Sequence, residues 1–188
     1  MWRWREDSLA TFSIPEYRMD MLRPLDLAAL LAVRSRPAQA WTFTSLAADV
    51  GVSASQLHAS LERAGAAGLY SRDERHVNVR GLLELLEHGV RWVFYAEVGD
   101  RRRGVPTAHA GPALRETIAG GAENMLVWPC AEGSEVGQAL TPLYPQAVRT
   151  VASCPPLYEL LTLVDALRVG RRREQEAAMH AFHARLKG

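Results

Sequence analysis

The sequence predicts a mostly helical α+β protein, because helical periodicity recurs along the chain and short strand patterns interrupt it. Apolar residues follow intervals of three and four most clearly from Leu82 to Val93 and from Leu157 to Leu167. Two short apolar runs, Leu69–Ser71 and Val77–Val79, flank a polar turn and are typical of a β-hairpin. Apolar residues make up 48% of the 188, which is enough to form a packed core.

The N-terminal residues 1–20 are predicted to form an arm that packs on another surface, such as a second subunit. They show no helical period but are rich in aromatic residues. These residues are Trp2, Trp4, Phe12 and Tyr17. The first helix is then expected to begin at Pro24, whose missing N–H costs nothing there, and to end before Pro37.

Two further helices and the hairpin follow between Thr44 and Gly81. Thr44 or Ser45 is expected to cap the second helix, and Gly51 to end it in a tight turn. Ser53 is expected to cap the third helix, whose inner face carries Leu57 and Leu61. The hairpin strands come directly afterwards, so three helices and a hairpin are predicted in sequence.

This order resembles the winged helix-turn-helix of MarR-like transcriptional regulators. The features that carry the resemblance are the small, apolar and turn residues of the two helices and the AGLY segment after them. They are Leu46, Ala47, Gly51, Val52, Ser53, Leu57, Leu61 and residues 67–70. The resemblance implies a winged-helix domain over residues 21–81, with a C-terminal helical extension over residues 82–188. It also implies a homodimer that binds double-stranded DNA, with the third helix in the major groove and the hairpin on the minor groove.

The candidate DNA-binding residues are those expected to point outward from the third helix, the helix starts and the hairpin. They are Ser45, Ser53, Ser55, Gln56, Ala59, Ser60, Arg63, Arg72, Arg75 and His76. Gln56 can pair with adenine through both amide atoms, and Arg63 can bind guanine or phosphate. Ser45 and Ser53 lie near helix starts, where backbone N–H groups can bind phosphates. The alternative is a solvated helix face with a charged turn, since Asp73 and Glu74 dilute the charge of the hairpin.

Residues 82–188 are expected to hold a linker helix, an irregular Pro/Gly-rich segment from 104 to 150 with at most short strands, and C-terminal helices. The dimer contacts are assigned to the N-terminal arm and to the helices Leu157–Leu167 and Glu174–Leu186. The aromatic residues between the halves are interpreted as core, and an effector pocket for an unidentified small molecule is the alternative. These residues are Trp92, Phe94, Tyr95, Trp128 and Tyr144.

Two arginine triplets, Arg101–Arg103 and Arg171–Arg173, also have two interpretations. Each can contact phosphates. The preferred interpretation is a solvated loop for the first triplet and a charged helix start for the second. The net charge of the chain is only +1, so any DNA contact has to come from local basic patches.

Other classes of protein find little support in the sequence. Cys130 and Cys154 are expected to be reduced thiols, although a single disulfide remains open. His180 and His183 have no cysteine cluster near them, so no metal or other cofactor is expected. Ser134 lacks the strand–turn–helix context of a nucleophile, so no enzyme is expected. The absence of a long apolar run predicts a cytoplasmic protein with no membrane partner.

A second function stays open beside DNA binding. Winged helices also serve as protein–protein modules, and the chain could be an adaptor, for example one that neutralises a toxin. A basic, outward third helix favours DNA, whereas an apolar or acidic one favours the adaptor. The third helix carries the neutral residues Ser53, Ser55 and Ser60, so the sequence leaves this choice open.

Overall fold

The computed structural model describes residues 21–36, 41–118 and 124–186, and the predicted arm of residues 1–20 lies outside them. The fold is α+β and mostly helical, as predicted. The helices are α1 Pro24–Arg34, α2 Phe43–Val50, α3 Ala54–Ala66, α4 Val79–Glu84, α5 Val90–Val93, α6 Thr150–Ser153, α7 Pro155–Val169 and α8 Arg172–Leu186. The strands are β1 Tyr70–Ser71, β2 His76–Val77, β3 Val98–Thr107, β4 Leu126–Pro129 and β5 Glu135–Leu140.

The first three helices have the predicted starts, with one correction. α1 begins at Pro24 as expected. The cap of α2 is Thr42, not Thr44 or Ser45: its hydroxyl accepts from the Ser45 N–H, and the Ser45 hydroxyl accepts in return from the Thr42 N–H. This reciprocal pair places the cap two residues before Thr44, the earlier of the two predicted caps. Gly51 ends α2 in the left-handed conformation, with φ +77°, as the turn requires.

The hairpin after α3 is confirmed but short. β1 and β2 pair antiparallel, with Tyr70 opposite Val77 and Ser71 opposite His76. The helix that follows begins at Val79, three residues before its apolar stripe starts at Leu82, because the Asn78 side chain accepts from the Gly81 N–H and caps it. This helix widens into a π-helical turn over Leu85–Gly89 before α5 completes it.

The segment 104–150 is predicted to be irregular with at most short strands, and it holds two short strands, β4 and β5, besides the end of β3. The sequence does not predict how these strands pair. β3, β4 and β5 close into a small barrel in which each strand pairs with the other two. β3 is antiparallel to both neighbours, and β4 runs parallel to β5. The strands approach so closely that a Cβ on Gly104 would overlap the Trp128 carbonyl oxygen. The first arginine triplet therefore lies on β3, not in a loop.

α7 runs through the centre of the molecule. Ten of its fifteen residues are buried, and the apolar stripe Leu157–Leu167 packs against α1, α5, α8 and the barrel. The prediction that this stripe forms dimer contacts is therefore wrong, since its own chain covers it. α8 begins at Arg172, slightly before the predicted Glu174, and buries Ala178, Phe182 and Leu186 as expected.

The two halves of the chain share one continuous apolar core, which runs from Leu27 to Leu186. Polar contacts also cross between them at the end of α2. The Tyr144 hydroxyl donates to the Val50 carbonyl at 3.0 Å, and the Ser153 hydroxyl donates to the Asp49 carbonyl at 3.0 Å. The division at residue 81 stays a prediction about sequence organisation, while the packing joins both parts.

Candidate nucleic-acid interface

The first turns of α3 present a small, uncharged surface to solvent. Ser53, Ser55, Gln56 and Ala59 are all exposed, as predicted. Leu57 and Leu61 are buried on the opposite side against the core. The short side chains of this surface allow another molecule to approach the helix backbone closely, which is what insertion into a groove requires.

The Gln56 side chain and backbone are hydrogen-bonded to Ser53 at the start of α3. The side-chain amide oxygen accepts from the Ser53 N–H at 3.0 Å, and the Gln56 N–H donates to the Ser53 hydroxyl at 3.2 Å. Together these bonds form a capping box, which fixes the start of α3. A two-point contact between Gln56 and adenine therefore requires the amide oxygen to leave Ser53.

Ser60 and Arg63 do not point outward, and their prediction as surface contacts is wrong. Ser60 is fully buried. The Arg63 guanidinium turns inward and donates to both carboxylate oxygens of the buried Asp26, at 2.9 and 2.6 Å. A buried carboxylate needs a paired cation, and this requirement fixes Arg63 on the inner side of α3.

The hairpin brings Arg72, Arg75 and His76 to the surface, as predicted. The Arg72 guanidinium lies 3.0 Å from a carboxylate oxygen of Glu62 on α3, so its charge is partly neutralised. Arg75 has φ +50° and stacks its guanidinium 4.1 Å from the centre of the Trp41 ring. It also donates to the Trp41 carbonyl at 2.7 Å, which holds the arginine in place.

A cleft of about 340 Å³ separates the hairpin from the start of α2. Trp41, Phe43, Tyr70, Arg72 and Arg75 are among the residues that line it. The Tyr70 hydroxyl is buried close to Arg75; burial raises the pKa of this phenol, and Arg75 opposes that shift. Two arginines at one cleft are suited to an anionic oxygen such as a phosphate. The sequence indicates the arginines but gives no sign that Trp41 and Tyr70 accompany them.

Ser45 stands apart from this surface in its role. It is half-buried, and its hydroxyl both accepts from the Thr42 N–H and donates to the Thr42 carbonyl. Its side chain therefore belongs to the start of α2, and its contact with DNA stays a prediction.

A buried polar network connects α7 to the barrel on the other side of the core. The Asp165 carboxylate accepts from the Thr107 hydroxyl at 2.7 Å, the Trp128 indole N–H at 2.5 Å and the Arg168 guanidinium at 2.7 Å. Complete burial raises the pKa of Asp165, while Arg168 and the two neutral donors oppose that shift. Arg168 also donates to the Phe94 carbonyl at 2.6 Å, so the network fixes the chain at the end of α5.

The aromatic residues between the halves do not line one pocket. Phe94, Trp128 and Tyr144 are buried, which confirms the core interpretation for them. Trp92 and Tyr95 are 75% and 73% exposed, so that interpretation is wrong for these two. Trp92 lies in α5 but off the apolar stripe, and Tyr95 follows the end of the helix at Val93. Helical spacing therefore indicates an outward position for Trp92 and gives no position for Tyr95.

Cys130 is half-buried and Cys154 is buried, and both are free thiols. Within 21–36, 41–118 and 124–186, no three His, Cys, Asp or Glu side chains come close enough together to hold a metal ion. In the same ranges, no helix combines the length and apolar character needed to cross a membrane.

Comparison with known proteins adds no relative: no family model, no curated protein and no solved structure matches the chain. Function therefore has to be inferred from the geometry of the chain itself.

Proposed function

We propose that this protein is a winged-helix transcriptional regulator that binds double-stranded DNA in the cytoplasm as a homodimer. The observation that carries the proposal is the exposed, small and uncharged start of α3 beside a cleft with two arginines. In this arrangement α3 reads base edges in the major groove, and the hairpin holds the backbone.

The readers of sequence are Ser53, Ser55, Gln56 and Ala59. Ala59 provides an apolar contact for a thymine methyl group, and the serines accept or donate at any base. Gln56 gives up its contact with Ser53 when it pairs with adenine. Arg63 and Ser60 take no direct part, since both are committed to the core.

The phosphate contacts are assigned to the cleft. Arg75 is exposed and held by Trp41, and its remaining N–H donors are available to a phosphate oxygen. Because Arg72 is paired with Glu62, its contribution requires that pair to open. We therefore expect modest electrostatic affinity and a specificity that depends on close contact with the bases.

The test begins with selection of bound fragments from a random duplex library, followed by anisotropy titration of a recovered site. Ala59→Glu places a carboxylate on the exposed face of α3, where it would meet the groove, and we expect at least a tenfold loss of affinity. Ala184→Glu introduces the same charge at an exposed position of α8 and serves as the matched control. Equal affinities of the two variants, with both folded, would overturn the proposal.

One observation favours the protein adaptor as a second candidate. Trp92, Val93, Tyr95 and Val98 form a run of exposed large apolar side chains, which is typical of a protein-binding surface. If selection recovers no duplex and a partner protein binds this run, the adaptor is the better account.

A further inference from the structure

The first arginine triplet, Arg101–Arg103, places three consecutive cations on a β-strand. It lies in the middle of β3, where the strand is paired with β5, while β4 pairs with the residues that follow it, Gly104 to Thr107. Arg101 stands opposite Gln138, Arg102 opposite Gly137 and Arg103 opposite Val136. All three side chains are exposed.

Two of these guanidiniums are oriented by backbone carbonyls. Arg101 donates to the Val136 carbonyl at 3.3 Å, and Arg103 donates to the Gly133 carbonyl at 3.1 Å. Each guanidinium has five N–H donors, so these single bonds leave most of its donors available. The carbonyls therefore hold the two cations in place along the strand without neutralising them.

No carboxylate in the described part of the chain forms an ion pair with any of the three. The exposed residues Asp100 and Glu135 are close along the chain and across the sheet, yet neither lies within pairing distance. Two other exposed arginines are paired: Arg80 with Glu84 at 3.1 Å, and Arg172 with Glu176 at 2.8 Å.

A row of unpaired arginines on a strand fits an extended polyanion better than a single anion. Alternate residues of a strand are about 6.6 Å apart, so Arg101 and Arg103 can each engage a separate phosphate of one chain. The planar guanidinium binds a phosphate through two parallel N–H bonds. Pairing with β5 already fixes the backbone of this stretch, so binding costs little further backbone freedom.

We infer that the β3 arginines form a second nucleic-acid contact that grips the phosphate backbone of duplex DNA, separate from α3 and the hairpin. The inference rests on the proposed function for its ligand, but it depends on none of the α3 residues. Since Asp100 and Glu135 reduce the long-range field, the contact acts at short range through hydrogen-bonded phosphates.

The second triplet, Arg171–Arg173, provides a control with the same charge and a different setting. Arg172 is paired with Glu176, and the Arg171 backbone N–H donates to Glu174 at 2.8 Å. Replacing either triplet with glutamine removes three positive charges. A difference in DNA affinity between the two variants is therefore due to the location of the arginines and not to net charge.

The experiment measures the affinity for one duplex by anisotropy at several salt concentrations. We expect Arg101→Gln/Arg102→Gln/Arg103→Gln to lower affinity at least tenfold. It should also reduce the slope of log K against log salt by about 2, because Arg101 and Arg103 share one face of β3 and each phosphate that the protein neutralises contributes about 0.9 to that slope. The variant Arg171→Gln/Arg172→Gln/Arg173→Gln should keep the wild-type slope. Triple replacement of Arg101–Arg103 with lysine, which keeps the charge, should restore most of the slope.

Arg101→Gln alone keeps the test decisive if the triple variant does not fold, because it removes one phosphate contact and the slope should still fall by about 1. Arg102→Gln is its control, since Arg102 lies on the opposite face of β3 and its loss should leave the slope unchanged. An unchanged slope, or equal losses in both triplet variants, overturns the inference while DNA binding by wild type leaves the proposed function standing. Loss of binding to phosphatidylserine vesicles with unchanged DNA binding also overturns it. If wild type binds no duplex at low salt, the proposed function falls and the inference falls with it.

Discussion

The Arg63 guanidinium of α3 makes a two-point contact with the buried carboxylate of Asp26 in α1. Asp26 also accepts from the Arg23 N–H, so the same carboxylate caps α1 and orients α3. The charged residue that the helical pattern assigns to DNA reading is therefore part of the support that positions the reading helix. Replacement of Arg63 is therefore expected to lower the stability of the fold.

We expect Arg63→Ala to lower the free energy of unfolding by about 3–5 kcal/mol, because it leaves the Asp26 charge buried without its partner. Urea unfolding followed by circular dichroism measures this loss. Arg80→Ala is the control, since it breaks an exposed pair with Glu84 and should cost about 0.5 kcal/mol or less. Equal losses in the two variants would contradict the structural role of Arg63.

The barrel depends on close approach of its strands at Gly104. We expect Gly104→Ala to destabilise the protein by about 1–3 kcal/mol or more, because the added methyl group would overlap the Trp128 carbonyl. Gly99→Ala on the same strand is the control, since its nearest contact would be 3.8 Å away. Thermal unfolding compares the two, and a neutral Gly104→Ala would show that the strands are farther apart than described.

These two cases indicate what the sequence could and could not predict. The helices follow from apolar periodicity and caps, as at Pro24 and Ser53, because these signals are local. β3 and β5 contain Gly104, Pro106 and Gly137, which read as breakers, although two of them are glycines that close backbone approach requires. The position of Arg63 depends on Asp26, 37 residues away, and no local pattern records that pairing.

The exposed run at the end of α5 leads to a prediction about the proposed homodimer. If the regulator dimerises through this run, Trp92→Ser/Tyr95→Ser should shift it from dimer to monomer in sedimentation equilibrium, because aromatic anchors dominate the stability of such interfaces. Arg168 donates to the Phe94 carbonyl and holds this segment in place, so the fold should survive the changes. Val136→Ser removes an exposed apolar side chain on the barrel and should leave the mass unchanged. A dimer that persists in the double variant would place the interface elsewhere.

Tyr158 predicts how stability depends on alkaline pH. Burial raises the pKa of Tyr158 to about 12, and its hydroxyl donates to the Pro106 carbonyl at 2.5 Å. The unfolded phenol titrates near its ordinary value of about 10. The contribution of Tyr158 is therefore fully present below pH 10 and is lost as the pH rises toward 12.

Thermal melts of wild type and Tyr158→Phe across this range isolate the effect, since burial also raises the pKa of Tyr70 and Tyr144 in both proteins. The stability advantage of wild type should shrink with rising pH. A difference between wild type and Tyr158→Phe that does not change with pH would mean that the pKa of Tyr158 is the same in the folded and the unfolded state, which would contradict the prediction.

The central claim is that the exposed start of α3 reads bases, and Gln56 tests it most directly. The measurement is the affinity of wild type and Gln56→Ala for a recovered site and for its full set of single base-pair substitutions. Gln56→Ala also weakens the capping box of α3, but that effect would lower the affinity for every DNA sequence equally. It would not change the preference at a single base pair. We predict that Gln56→Ala loses about 1–3 kcal/mol of discrimination at one base pair of each half-site and keeps the rest of the profile. A variant profile that parallels the wild-type profile at every position would contradict the claim.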